Sequence, residues 1–312
     1  MFDENLISEI KLNNLKAIAR SISMIENSEN IPDSFYTGIY ESRNNAIRIG
    51  ITGPPGAGKS TLSNEIVGQC LANDETVGVI AIDPTSPFTG GALLGDRIRM
   101  NKYGSDERVF IRSMGSRGSL GGIAKKTQDV ADVLDASGKD IIIFETVGVG
   151  QGEYDVAKAA DITVVVLVPE SGDEIQLMKA GLIEIADMFV INKADREGSN
   201  RIASTLKNVL HHFSNGKPRE PLVLKTIANK GEGISELYLT IKEELRLMQN
   251  NGFLSNRKLV RYKDRVSNII QNSLEKEFWT SARKDLLDTK TKSLKNISIA
   301  PNDVAKSLLE SK

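Results

Sequence analysis

The stretch "GPPGAGKST", from Gly53 to Thr61, constrains this chain more than anything else in it. It matches the spacing G-x-x-x-x-G-K-[ST] and stands between a β-rich run, residues 46–52, and a helical pattern. That order matters because loop N–H groups and a helix N-terminus converge on phosphate oxygens only when strand, loop and helix follow one another directly. Gly53, Pro54, Pro55, Gly56, Ala57, Gly58, Lys59, Ser60 and Thr61 are therefore the candidate phosphate-binding residues. Lys59 is expected to reach the β- and γ-phosphates as a catalytic point charge, and Ser60 to give its hydroxyl to Mg²⁺.

A motif of this kind needs a sheet behind it. Further β-rich runs follow at 76–83, 108–113, 140–146, 162–168, 188–192 and 221–226, separated by helical patterns. Several are apolar nearly throughout, as strands buried on both faces of a parallel sheet must be. The expected fold is α/β: a P-loop NTPase with a doubly wound, mostly parallel sheet and helices on both faces, plus helical N- and C-terminal extensions. The expected organisation is an N-terminal helical extension at 1–45, the nucleotide-binding domain at 46–250 and a C-terminal helical extension at 251–312. Leu15, Ile18, Ile22 and Ile25 recur at helical spacing and predict an amphipathic helix near the start. In the last segment Val260, Ile269, Ile270, Leu274 and Trp279 give apolar surface that is thin for an independent core. Docking on the main domain or on another copy is expected.

Ligands of such sheets lie at the carboxyl ends of the strands, where Asp83, Glu145 and Asn192 fall. The base is addressed by "NKAD", Asn192 to Asp195. Guanine offers N1–H and an N2 amine to a carboxylate in the position of Asp195, whereas adenine offers an acceptor and no amine. A site that pairs polar groups rejects a base that leaves them unpaired. Asn192 is expected to brace the loops and meet the N7 edge, and the stem of Lys193 to cover the ring. "TIAN" follows the last strand, and Thr226, Ile227 and Ala228 complete the base site, with the Ala228 amide aimed at guanine O6. The stretch "FETVGVGQGEYD" ends a buried strand in Glu145 and then alternates glycines. An acid there needs a partner, which Mg²⁺ would supply, and the glycines free the backbone to follow the γ-phosphate.

With 40 basic and 41 acidic side chains in 312 residues there is no net field to draw nucleic acid or a membrane surface. The apolar runs are far shorter than the roughly 20 residues that span a bilayer. One cysteine, Cys70, excludes an intramolecular disulfide and sits at helix-core spacing from Leu62 and Ile66. The N-terminus lacks the marks of a leader, so a cytoplasmic chain is expected. His211 and His212 read as helix-end surface residues, and the basic cluster around Arg257 to Arg265 as a solvated helix face.

"GPPGAGKST", "DPTSPFTGGALLGDRIRM", "IRSMGSRGSLGG", "ETVGVGQ", "GDEIQLMKAG" and "NKAD" occur in the order and wording of the MeaB/ArgK family. The resemblance is tight over about residues 46–226. It implies a GTP-hydrolysing chaperone for adenosylcobalamin-dependent methylmalonyl-CoA mutase or a related acyl-CoA mutase, with Mg²⁺ as cofactor and a homodimer formed through the C-terminal extension, for which Trp279 is a candidate surface. It also implies that Asp83 and Asp96 bracket a first switch and serve the Mg²⁺ shell together with Ser60 and Glu145. Glu145 would open a second switch, and Lys179 would stand in a third and contact those acids. Gly152 departs from the serine usual after "VGVGQ". Gln151 is the candidate for positioning the attacking water. In the absence of an evident strong base, slow intrinsic hydrolysis stimulated by a partner is expected. Three other readings stay open: a GTP-driven metallochaperone, which would want a Cys/His cluster; a kinase linked to amino-acid (LAO/AO) transport, which would want an acceptor pocket; and a non-hydrolysing scaffold.

Overall fold

The structure is a computed structural model and describes residues 4–27, 31–83, 101–115, 122–146, 152–171, 181–213, 220–292 and 299–310. All seven β-rich runs are strands: β1 (Ile47–Thr52), β2 (Val77–Asp83), β3 (Val109–Gly115), β4 (Ile141–Thr146), β5 (Ile162–Leu167), β6 (Met188–Ile191) and β7 (Leu222–Lys225). Among the described residues they form one parallel sheet in the order β3-β2-β4-β1-β5-β6-β7. The chain leaves β1 for one side of the sheet, returns to β4 beside it, and crosses to β5 on its other side. The loop after β1 therefore opens at the switch point, where nucleotides bind such sheets.

Every residue of β4 and β5 is buried, so these strands carry apolar side chains on both faces. Ile141 and Ile143 join a core with α4 (Lys59–Ala72) and α9 (Ile234–Asn250). Ile142 and Phe144 point the other way and join the N-terminal helices α1 (Glu4–Lys11), α2 (Leu15–Asn27) and α3 (Asp33–Glu41), together with α5 (Gly122–Ala136) and α6 (Gly152–Ala159). α7 (Leu182–Ile185) and α8 (Ser199–Phe213) cover β5 and β6 with Leu182, Ile183, Leu206 and Leu210. Where the sequence predicts one opening helix, three are present. Asn14 Oδ1 accepts from the N–H groups of Lys16 and Ala17 and so starts α2. Phe35 and Ile39 of α3 are buried with Ile80 and Phe144 of the sheet. α3 escapes a periodicity reading because only two of its nine residues face that core.

Two glycines of this unit are set by close approach. A Cβ on Gly50 of β1 would stand 2.8 Å from Val156 Cγ1 and 3.1 Å from the Ala160 Cβ, so α6 lies flush on the strand that leads into the phosphate loop. Gly181, ahead of α7, has φ +63°. Cys70 is fully buried on α4, and burial, with the Glu75 carboxylate adding to it, pushes its thiol up to about 12.

At the amino ends of the strands the charges are paired inside the protein. Arg48 Nη2 lies 2.7 Å from Asp132 Oδ1, both side chains at most 5% exposed. Asp135 Oδ1 accepts from the N–H groups of Asn44 and Ala46 at 2.7 and 3.1 Å. Asp187 takes both forks of Arg257 at 2.7 and 2.8 Å, and its Oδ2 also accepts the Thr163 N–H at 2.7 Å.

The chain divides into two compact units, Met1–Arg257 and Lys258–Lys312. The second contains the rest of α10 (Phe253–Phe278), α11 (Ser281–Lys290) and α12 (Pro301–Glu310). Within it Thr280 caps α11, Phe278 and Trp279 meet edge to face with centroids 5.1 Å apart, and Arg283 lies over Phe278. Leu259, Val260, Val266, Ile269, Ile270 and Leu274 are exposed along α10. No helix among the described residues is long and apolar enough to cross a membrane.

Candidate nucleotide site

β1 ends at Thr52, buried and hydrogen-bonded through Oγ1 to Thr146 Oγ1 of β4 at 2.9 Å. Gly53 then turns with φ +135°, and a Cβ there would collide with the Val166 carbonyl of β5. Gly58 has φ +86°, and a Cβ would strike Asn192 Nδ2. Both are thus fixed as glycine by conformation and by contact. Pro55 and Gly56 form the exposed crest, Ala57 is sealed beneath, and Thr61 faces outward from α4. Lys59 opens α4 at 5% exposure, and its Nζ donates to the carbonyls of Gly53 and Pro54 at 2.8 and 2.9 Å. The ammonium is curled into its own loop, on acceptors weaker than a phosphate oxygen.

On the adjoining side Ser60 Oγ donates to Glu145 Oε1 at 2.5 Å. Glu145, next to last in β4 and paired in register with Ile51 of β1, is 5% exposed. Ser60 and Glu145, the two predicted metal-side groups whose side chains are described, thus meet directly. Asp83 closes β2 beside Gly115, which puts its backbone at the same rim; its side chain lies outside the described residues. Asp96, Gln151 and Lys179 lie outside them as well. Among the described residues no group of three or more His, Cys, Asp and Glu side chains is placed to hold a metal ion. Glu153, in the first turn of α6, is a candidate the sequence reading did not name. Burial pushes its carboxyl up, and the Lys59 ammonium pulls the other way. Its only sequence signal is an acid in the first turn of a helix that follows the glycine run.

The base side is built around Asn192, 2% exposed. Its Nδ2 donates to Ala57 O at 2.9 Å, and its Oδ1 accepts from Thr226 Oγ1 and the Ala228 N–H, each at 3.1 Å. Asn192 thus joins the phosphate loop to the turn at Thr226 and Ala228. The Ala228 N–H, expected at guanine O6, is here engaged by that amide oxygen, because a buried acceptor takes the nearest donors. Ala194 N–H donates to Thr226 O, and Ile227 bridges to Glu232, which closes the loop behind the base site. Lys193, at φ +56°, sends Nζ to Gly56 O at 2.8 Å and so lays its stem along the phosphate loop. Asp195 is half-exposed and pairs with Lys230 at 3.3 Å, a partner without any sequence signal.

A family profile described as the methylmalonyl Co-A mutase-associated GTPase MeaB matches residues 18–283. The chain belongs to the MeaB family of GTPases. Relatives agree with that membership. A Pyrococcus abyssi protein that bears a GTPase designation is 44% identical over 99% of this chain and 96% of its own length. The mouse methylmalonic aciduria type A homolog is 37% identical over 75% of this chain and 57% of its own length. The Escherichia coli GTPase ArgK is 40% identical over 63% of this chain and 61% of its own length. A solved structure described as a LAO/AO transport system kinase superposes with a TM-score of 0.73 over 98% of this chain and 96% of that one at 23% identity, a likeness of fold alone. Within the MeaB family, then, this chain presents a P-loop GTPase fold with the candidate residues Lys59, Ser60, Glu145 and Asn192 at one rim of the sheet.

Proposed function

We propose that this MeaB-family GTPase is a Mg²⁺-dependent, GTP-hydrolysing chaperone that gates cofactor loading or protection of an adenosylcobalamin-dependent acyl-CoA mutase, such as methylmalonyl-CoA mutase, as a cytoplasmic homodimer. The observation that carries the reading is the family match over residues 18–283, whose description joins a GTPase to that mutase. Lys59 would exchange the Gly53 and Pro54 carbonyls for β- and γ-phosphate oxygens, and residues 53–61 would cradle those oxygens with their N–H groups. Asp195 would accept from guanine N1–H and N2, Asn192 would hold the loops of the base slot together, and the Lys193 stem would form one wall, with Thr226, Ile227 and Ala228 behind.

The donors gathered at Ser60 and Glu145 are a hydroxyl and a carboxylate, oxygen ligands suited to a hard divalent cation. Ser60, Asp83, Asp96 and Glu145 would hold Mg²⁺, which when bound neutralises charge on the β- and γ-phosphate oxygens. Gln151 would orient the attacking water and Lys179 would contact the acids of the metal shell. The second subunit would dock along the exposed apolar row of α10 and Trp279. A pull-down with GDP and with a non-hydrolysable GTP analogue tests the reading. Capture of a cobalamin-dependent mutase that differs between the two nucleotides is the expected outcome, and equal or absent capture of such a mutase would sink it.

A further inference from the structure

Asp195 does not stand alone beside the base loops, because Lys230 Nζ lies 3.3 Å from its Oδ2. Lys230 ends the short turn Ala228–Lys230 that follows β7. That turn is closely tied: Lys230 N–H donates to Ile227 O at 2.9 Å, Gly231 N–H to Ala228 O at 3.2 Å and Ile227 N–H to Glu232 O at 3.0 Å. Gly233 then leads into α9 at φ +75°, and a Cβ there would stand 2.4 Å from the Lys225 carbonyl oxygen. The backbone that carries Lys230 to Asp195 therefore has little slack. Stability does not account for the pair, since both side chains are half-exposed and an ion pair so open to water adds little to folding. Nor are these loops merely crowded with charge. Lys193 turns to Gly56 O at 2.8 Å, Arg196 to Glu170 Oε1 at 2.6 Å and Lys225 to Asn200 Oδ1, which leaves Lys230 as the cation given to Asp195.

The chemistry of a base edge gives the pair a use. On the function proposed above, on which this inference rests, Asp195 accepts from guanine N1–H and the N2 amine. The next atom along that edge is O6, an acceptor on the carbon bonded to N1. The main-chain donor expected there, the Ala228 N–H, is already held by Asn192 Oδ1 at 3.1 Å, on a residue 2% exposed. O6 thus needs a donor from elsewhere. Because N1–H and O6 are neighbours on the ring, the acceptor that meets one and the donor that meets the other must be neighbours as well. A carboxylate beside an ammonium is such a couple, and adenine, with an acceptor at N1 and an amine in place of O6, presents the reverse of what it asks for.

We infer that Lys230 is a specificity-determining residue of the base site: its ammonium donates to guanine O6 while Asp195 accepts from N1–H and the N2 amine. The base edge takes over both halves of a preformed ion pair, so guanine is read at O6 by a side chain instead of by the Ala228 amide.

The test titrates GDP, 6-thio-GDP, IDP and ADP into the full chain and into Lys230→Met by calorimetry, with a thermal melt of each protein. Sulfur in place of O6 accepts weakly, and the base of IDP lacks the N2 amine. Lys230→Met is expected to bind GDP about tenfold more weakly with its melting temperature within about one degree of the parent. The parent is expected to bind 6-thio-GDP about tenfold more weakly than GDP, and Lys230→Met to bind the two within about twofold of each other. The loss from GDP to IDP should be the same in both proteins, because the amine addresses Asp195. Unchanged GDP affinity in Lys230→Met, or GDP and 6-thio-GDP falling by one common factor as a merely structural lysine would give, would overturn the inference. A parent that does not prefer GDP to ADP would overturn the guanine reading itself and this role with it. A parent that prefers GDP beside an indifferent Lys230→Met would overturn the role of Lys230 alone.

Discussion

The two ends of the sheet use the same kinds of side chain in opposite ways. At the amino ends of the strands, Arg48, Asp132, Asp135, Asp187 and Arg257 are matched to partners that no ligand will displace, several of them backbone N–H groups. At the carboxyl ends, Lys59 leans on its own loop, Ser60 on Glu145, Lys193 on Gly56 and Asp195 on Lys230. Under the proposed function each of those groups would exchange that partner for a nucleotide or a cation. The lesson is that pairing at one end completes the fold, while pairing at the other would, on that reading, keep polar groups hydrogen-bonded until a ligand takes them over.

The comparison breaks most visibly at Arg48. Arg48→Met is expected to cost about 3–5 kcal/mol in urea unfolding, because it strips a buried carboxylate of its nearest cation. GTP turnover per folded molecule should stay within about twofold. A loss below about 1 kcal/mol, or a selective loss of turnover, would mean the two ends are not distinct. Next in size is Asp195→Asn. Removing a charged acceptor from the base site should weaken GTP binding by about 1.5–3 kcal/mol, or roughly 10- to 150-fold, while the melting temperature moves little. Calorimetry and a thermal melt on the same sample check both halves, and parallel loss of stability and affinity would contradict the contrast.

The smallest expected effect sharpens the comparison. Burial raises the Glu153 carboxyl in the folded protein, so the native state holds that proton more tightly than the unfolded chain does. Stability attributable to this group is then greatest below the ordinary carboxylate range and declines as pH climbs through the raised value. Glu153→Gln should therefore melt about one or two degrees higher than the parent at pH 7, with the gain fading toward pH 3.5. A gain that persists unchanged in acid would assign it to packing instead.

What could be read from sequence divides along physical lines. The strands were legible because β4 and β5 are buried on both faces and are apolar for most of their length, as at Ile141 to Phe144. The phosphate loop was legible because Gly53 and Gly58 stand at φ +135° and +86° in contact with other chain segments, so their spacing has no freedom. Helix α3 was not, since Phe35 and Ile39 alone face the core and the rest of its residues answer to solvent. Nor were the partners that come from elsewhere in the chain. Lys230 meets Asp195 only because the bridge between Ile227 and Glu232 folds that loop back. The Ala228 amide turns to Asn192 for a reason that exists only once both loops are in place.

The sealed thiol of Cys70 has a practical corollary. With this cysteine alone in the sequence, fully inside α4 and titrating near 12, almost none of it is thiolate at neutral pH, and maleimides and spin labels have nothing native to attack. A single cysteine introduced on any outward-facing position becomes the sole reporter, so distances between copies, or across one copy as nucleotide is exchanged, are open to spectroscopy without first removing a background residue.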